Sequence, residues 1–304
     1  MVYYESFIRR LMHSSLTANS EAERKNQMVA TVEQLREIIT RRETKNLIRQ
    51  DLIEFFKIAR LSTAVAENLA EKTIELTSSM PSHAVEKEIR KYLENIYDNG
   101  GGTSLRNVSV LEKTKQSFSG RASTLAALLE EHIKGHRILD IGGGNGYLAQ
   151  EISKKFNKEV DIVDTINYAM TNLPFFVYDG HSLPFKDKKF DTSLLIAVLH
   201  HSNTPTEILS EARRVSKRIV IIETTYGGEN KKSKDINLAK TIFFDWFYNR
   251  VILNENIDTP FNFRTVEKWL TLFKEHELKL IDSKSLGRSF KSILLKHHLF
   301  VLEP

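Results

Sequence analysis

The stretch R-I-L-D-I-G-G-G-N-G-Y-L, Arg137 to Leu148, constrains this chain more than any other. Ile138 and Leu139 are apolar and bounded by charge, and Asp140-Ile141-Gly142 follows at once. Such a pattern predicts a short buried strand running into a turn from which glycine removes every side chain. Past Gly146 the period changes, with Leu148, Ile152 and Phe156 falling on one face of a helix. Strand, glycine turn and helix start together make a nucleotide-binding corner. Backbone can approach a ligand closely there, and the N–H groups of the helix start point at it.

Spacing narrows the choice of nucleotide. With Gly142 and Gly144 as the first glycines of a G-x-G-x-x-G fingerprint, the third position is Tyr147, so the dinucleotide reading fails. A phosphate loop is excluded because no G-K-S/T follows. The glycines fall instead at Gly142, Gly144 and Gly146, led by Asp140. That arrangement resembles the D/E-x-G-x-G-x-G motif of class I S-adenosylmethionine-dependent methyltransferases.

The order of elements around the corner is regular. A helix is expected over Thr124–His132, ahead of the glycine strand. Further strands are predicted at Glu159–Asp164, Phe175–Tyr178, Phe190–Val198 and Arg218–Glu223, with a helix from about Thr206 to Val215. Strands alternating with helices imply a parallel sheet covered on both faces, with its ligand beyond the strand C-termini. An insert is read at 226–263, centred on T-I-F-F-D-W-F-Y-N-R, and Thr265 then caps a helix carrying Val266, Trp269, Leu270 and Phe273. Leu278–Ser283 and Ser292–Leu302 close the chain as two strands suited to an antiparallel edge. The expected fold is α/β: a doubly wound, mostly parallel, seven-stranded Rossmann-like sheet. An antiparallel last strand again resembles the methyltransferase family.

Ahead of this lies an all-helical region. No proline precedes Pro81 and no glycine precedes Gly100. Helical periodicity is clear over Val29–Thr40, Leu47–Ile58 and Val65–Leu76. Ser82, just after a proline, is read as the N-cap of a further helix carrying Ile89, Leu93 and Ile96 and ending near Asp98-Asn99. Gly100-Gly101-Gly102 is the firmest breaker in the sequence. The domains expected are therefore a helical one over 1–102, a linker over 103–122, and a cofactor-binding one over 123–304. Apolar N-terminal helices serve equally as a lid, an acceptor-binding module or a homodimer interface.

Composition removes whole classes of function. With no cysteine, the chain has no disulfide, cysteine nucleophile or thiolate metal site, and no metal-ligand pattern is read elsewhere. A net charge of +5 suggests nucleic acid, but Lys and Arg alternate with Glu and Asp almost everywhere, and Lys231-Lys232-Ser233-Lys234 is the only compact basic run. Tracking phosphates needs a basic stripe. The opening M-V-Y-Y-E-S-F-I-R-R-L-M-H lacks the basic start and apolar core of a secretory signal, and no apolar run reaches the length of a membrane helix. A cytoplasmic protein without a membrane span is expected.

The resemblance extends beyond the glycines. Asp164 ends the second strand eighteen residues past Gly146, where an acid accepts ribose hydroxyls. Asp179-Gly180 precedes Ser182-Leu183-Pro184-Phe185, similar to the family's D-A-x-x-L-P-F, which sets the acid near the adenine amino group; glycine stands here for the usual alanine. Val198-Leu199-His200-His201 is much like the V-L-H-H of the small-molecule branch, and Glu211-Ala212-Arg213-Arg214-Val215 like its E-x-x-R-V helix. The chain departs from the family in two places. Only fourteen residues separate Asp164 from Asp179, so the helix between them is short or degenerate. Ser216-Lys217-Arg218 replaces the usual K-P-G-G before the fifth strand.

The resemblance implies S-adenosylmethionine as cofactor. It would be held by Asp140, Gly142, Gly144, Gly146, Asp164, Thr165, Asp179, Gly180 and Ala197, with Arg121 as a planar partner for the cofactor carboxylate. His200 and His201 sit where the acceptor should lie, and either suits proton removal at neutral pH. The acceptor is expected to be a small or medium-sized organic molecule methylated at oxygen, carbon or nitrogen. Tyr147, Tyr168, Trp246 and Tyr248 are candidates to line a pocket for an aromatic, lipid-like or carrier-tethered compound. Two rivals remain: an RNA or protein methyltransferase with a helical docking module, and a non-catalytic cofactor-binding scaffold. Against the first, no N/D-P-P-Y/F follows strand four and the positive charge is dispersed.

Overall fold

The protein is seen in a computed structural model that describes residues 21–96, 109–117, 120–167, 169–253, 260–287 and 295–304. The Gly100–Gly102 breaker, residues 103–108 and 118–119 of the linker, and Tyr168 lie outside the described residues. Two compact units are formed. One comprises residues 120–226 and 260–304, and the other the helices before residue 119 together with 227–253.

The first unit is built on seven strands: β1 (Arg137–Ile141), β2 (Glu159–Asp164), β3 (Phe175–Val177), β4 (Thr192–Ile196), β5 (Ile219–Thr225), β6 (Lys279–Gly287) and β7 (Lys296–Glu303). Their order across the sheet is β3-β2-β1-β4-β5-β7-β6. The first five strands pair in parallel, while β7 runs antiparallel to both β5 and β6. The mostly parallel, Rossmann-like architecture expected from the sequence is thus present, with its antiparallel last strand.

Alternation along the strands divides the core in two. Leu139 and Ile141 of β1 and Ile219 and Ile221 of β5 face one side, with Leu209 and Ala212 of α8 (Pro205–Val215) and Trp269 and Phe273 of α10 (Val266–Glu275). Ile138, Val220 and Ile222 face the other side. There they pack with Leu125 and Leu129 of α6 (Arg121–Leu129) and Ala149 and Ile152 of α7 (Tyr147–Phe156). Thr265 caps α10 as expected, its side chain accepting from the Lys268 N–H at 3.4 Å. Helix α6 begins three residues earlier than its periodicity suggests, directly after Gly120. No helix stands between β2 and β3 among the described residues.

The fourth strand is shorter than its apolar run. Phe190 makes only an isolated bridge to Ser216, and pairing ends at Ile196 because Ala197 takes a positive φ of 60°. The chain then winds through one tight 3-10 turn, Leu199–His201. His200 and His201 therefore lie on a turn beyond the strand.

The second unit contains α1 (Glu21–Thr40), α2 (Arg42–Ile58), α3 (Thr63–Ser79), α4 (Val85–Asn95), α5 (Val110–Ser117) and α9 (Lys231–Trp246), the last continuing into a wide π-type turn at Phe247–Leu253. Phe247 meets Phe55 and Phe56 of α2 edge-on, with ring centroids 5.6 and 6.2 Å apart. Glu86 of α4 accepts from Trp246 Nε1 at 2.8 Å and pairs with Arg250 at 3.2 Å. Helix α4 does not begin at Ser82. Pro81 and Ala84 close a turn (2.8 Å), Ala84 occupies the cap position without a side-chain bond, and the Ser82 hydroxyl instead binds Glu33 and Arg36 of α1. Within the described residues, no helix is long and apolar enough to cross a membrane.

Candidate active site

The glycine corner closes over the C-terminal ends of β1 and β2. The Gly142 N–H donates to Val163 O at 2.7 Å and the Gly146 N–H to Gly143 O at 3.0 Å, folding the loop back before α7 starts. Two glycines show why side chains are excluded. Gly142 has φ +68°, and a Cβ there would lie 2.7 Å from Val198 Cγ2. Gly144 has φ +53°, yet a Cβ there would meet no protein atom within 4 Å. The chain is thus packed against Gly142 and leaves room beside Gly144.

Two carboxylates flank this loop. Asp140 is 2% exposed, and its Oδ2 is buried with no hydrogen-bond partner among the described residues. A Cβ added to Gly143 would come within 2.9 Å of that oxygen, so the loop lies directly over it. Burial, reinforced by the neighbouring Asp164 carboxylate, pushes the Asp140 carboxyl up to about 7. Asp164 accepts from the Gly144 N–H through Oδ2 at 2.9 Å and from the Thr165 N–H through Oδ1 at 2.7 Å. Its pKa is raised by burial, which outweighs those hydrogen bonds. The Thr165 hydroxyl also approaches Oδ1, at 3.5 Å.

The loop after β3 comes to the same place. Gly180, at φ +85°, has Thr165 as the nearest neighbour of an added Cβ, at 3.5 Å. Asp179 is exposed, and its Oδ1 accepts from the His181 and Ser182 N–H groups, each at 2.8 Å. Those bonds, that of Ser182 first, hold its carboxyl below the ordinary range. Asp140, Gly142, Gly144, Gly146, Asp164, Thr165 and Gly180 are therefore gathered at one corner. Asp179 joins them through its neighbour Gly180, and Ala197 through Val198, which covers Gly142. Arg121 opens α6, which packs on α7.

The histidine turn carries a residue that sequence reasoning missed. Glu223, in the apolar run I-V-I-I-E-T-T of β5, has no exposure at all. Its Oε1 accepts from the Val198 and Leu199 N–H groups at 3.1 and 2.7 Å, and its Oε2 lies 2.6 Å from His200 Nδ1. His200 is 2% exposed, stacked on Phe263 with ring centroids 4.9 Å apart, while His201 is half-buried beside it at 4.1 Å. Asn262 closes the turn from outside. Its N–H donates to His200 O at 3.3 Å and its side chain to Ser202 O at 2.6 Å. An acid interrupting an apolar strand at its C-terminal end was the available signal for Glu223. Thr171, whose Oγ1 would stand 2.8 Å from a Cβ on Gly146, gave none.

Known proteins bear on this geometry. Residues 139–221 match a family model described as a methyltransferase domain. An uncharacterized protein of Methanocaldococcus jannaschii is 32% identical over 90 residues, a stretch covering 30% of this chain and 44% of that protein, less than half of its length. Among solved structures, the geranyl diphosphate C-methyltransferase of Streptomyces coelicolor aligns at 13% identity and a TM-score of 0.48, over 72% of this chain and 97% of its own. A Pyrococcus horikoshii protein aligns at 19% identity and a TM-score of 0.45, over 62% and 92%. The segment matched by the methyltransferase-domain model runs from β1 into β5, around the glycine corner and both flanking acids.

Proposed function

We propose that the protein transfers a methyl group from S-adenosylmethionine to a small or medium-sized organic acceptor, at oxygen, carbon or nitrogen, in the cytoplasm. The observation that carries this reading is the buried Asp140 Oδ2, without a hydrogen-bond partner among the described residues, beside a loop whose Gly144 faces open space. A desolvated carboxyl in that state calls for a cationic or donor group to complete it, and the cofactor's amino group is one.

Bound S-adenosylmethionine supplies a methyl on a sulfonium whose departure leaves a neutral thioether. The chain's own groups do the rest. Asp140 would hold the amino group, and the loop from Gly142 to Gly146 would receive the backbone-hugging part of the ligand. Asp164, already oriented by Gly144 and Thr165, would accept the ribose hydroxyls, and Asp179 with Gly180 would border the adenine. Positioning provides much of the rate in such a transfer. His200 and His201 stand ready to take a proton from acceptors that must lose one.

Titrating purified protein with S-adenosylhomocysteine by calorimetry tests the cofactor half: a one-to-one binding heat is expected, and its absence refutes the reading. Incubation with methyl-tritiated S-adenosylmethionine and fractionated small metabolites tests the other half. Label should enter a low-molecular-weight product. Label found only in RNA or protein would overturn the acceptor class.

A further inference from the structure

We infer that Glu223 is a positioning residue. It fixes the tautomer of His200 and ties the histidine turn to the cofactor corner, and this inference rests on the methyl-transfer reading of the same site. No hydrogen bond among those described joins Glu223 to the glycine loop itself, so its influence passes through the turn.

Two separate sets of contacts support this. The first concerns the proton on His200. A carboxylate oxygen 2.6 Å from Nδ1 accepts, which places the hydrogen of a neutral His200 on Nδ1 and leaves Nε2 the unprotonated nitrogen. With neither member of the pair more than 2% exposed, water does not compete for that bond. The same logic operates wherever an acid orients a histidine that must accept a proton at its far nitrogen.

The second concerns the turn. The other Glu223 oxygen takes both the Val198 and the Leu199 N–H, which would otherwise be left without acceptors where the strand ends. Val198 is the residue packed against Gly142, where an added Cβ would stand 2.7 Å from its Cγ2. One side chain on β5 therefore sets the direction of His200 and the wall against which the first glycine rests. Glutamine has nearly the same shape but an amide that is half donor. If its oxygen keeps the two backbone N–H groups, its NH2 must face His200 Nδ1 and drive the ring to the opposite tautomer.

The test uses the full chain with 15N-labelled histidine. Wild type should show His200 as the Nδ1–H tautomer by long-range 1H–15N correlation, assigned with His200→Gln. Glu223→Gln should invert it to Nε2–H while keeping S-adenosylhomocysteine affinity within about threefold. Glu223→Ala, which strands two buried N–H groups, should lower that affinity about tenfold. A tautomer unchanged in Glu223→Gln overturns the inference, as does wild-type affinity in a folded Glu223→Ala. Should Glu223→Ala not fold, the tautomer in the isosteric variant decides alone. Failure of wild type to bind S-adenosylhomocysteine would remove the cofactor reading instead, and the tautomer measurement would still stand or fall separately.

Discussion

Placing alanine at Gly142 and at Gly144 separates what the corner needs for folding from what it needs for its ligand. Both residues sit at positive φ, +68° and +53°, so each alanine incurs the left-handed penalty of roughly 1–2 kcal/mol. Only at Gly142 does the new methyl also strike protein. Val198 Cγ2 would be 2.7 Å away and Cγ1 3.0 Å, and Val198 is tethered through its N–H to Glu223. Overpacking of that kind adds about 1–3 kcal/mol. Gly142→Ala should therefore lose roughly 2–5 kcal/mol of stability. Gly144→Ala should lose only the first part, a fall of a few degrees in Tm. Affinity should rank the other way for a given loss of stability. The Gly144 methyl projects into the space we assign to the cofactor, and S-adenosylhomocysteine affinity should drop roughly 10- to 100-fold. Urea denaturation and calorimetry on the two variants measure both quantities. Gly144→Ala binding within twofold of wild type would show that the empty space is not where the ligand lies.

Three further outcomes follow from the same geometry. Asp140 keeps its proton to about pH 7 in the fold but loses it near pH 4 when unfolded. The native state then binds more protons in that window, so the free protein should lose stability as pH rises through it. Asp140→Asn should flatten the dependence; an identical pH profile would remove Asp140 as its source. An ammonium arriving beside Asp140 should expel that proton, so binding heats at pH 6.5 should vary with the ionisation enthalpy of the buffer in wild type but not in Asp140→Asn. Asp164→Ala should weaken S-adenosylhomocysteine roughly 100-fold, the worth of two hydrogen bonds to a charged acceptor, with the circular dichroism spectrum unchanged. Thr265→Ala should cost about 1 kcal/mol through loss of the α10 cap, read as a lower urea midpoint with cofactor affinity intact.

How much of this was legible in the sequence depends on how local the cause was. The β1–glycine–α7 corner was readable because strand period, turn residues and helix period succeed one another within a dozen positions. Asp164 was readable because it ends a strand at a fixed remove from the glycines. Strand ends were less so. The apolar run from Phe190 to Val198 gives no hint that Ala197 adopts a positive φ and breaks the pairing. Ser82 has the chemistry of a cap, but its hydroxyl is taken by Arg36 and Glu33 from a helix more than forty residues away. The same holds for Glu223, whose three partners come from another strand's end. The grouping of 227–253 with the N-terminal helices is a tertiary fact that no periodicity carries.

That grouping has a consequence for how the protein is made. The helical unit is not finished by its own stretch of chain: Phe55, Phe56 and Glu86 wait for Phe247, Trp246 and Arg250, which leave the ribosome only after five strands of the other unit. Over that interval, α2 and α4 emerge with apolar surface and a carboxylate still unmatched, the condition in which nascent chains attract chaperones and aggregate. Cutting the gene after the first helices would freeze the molecule in that unfinished state.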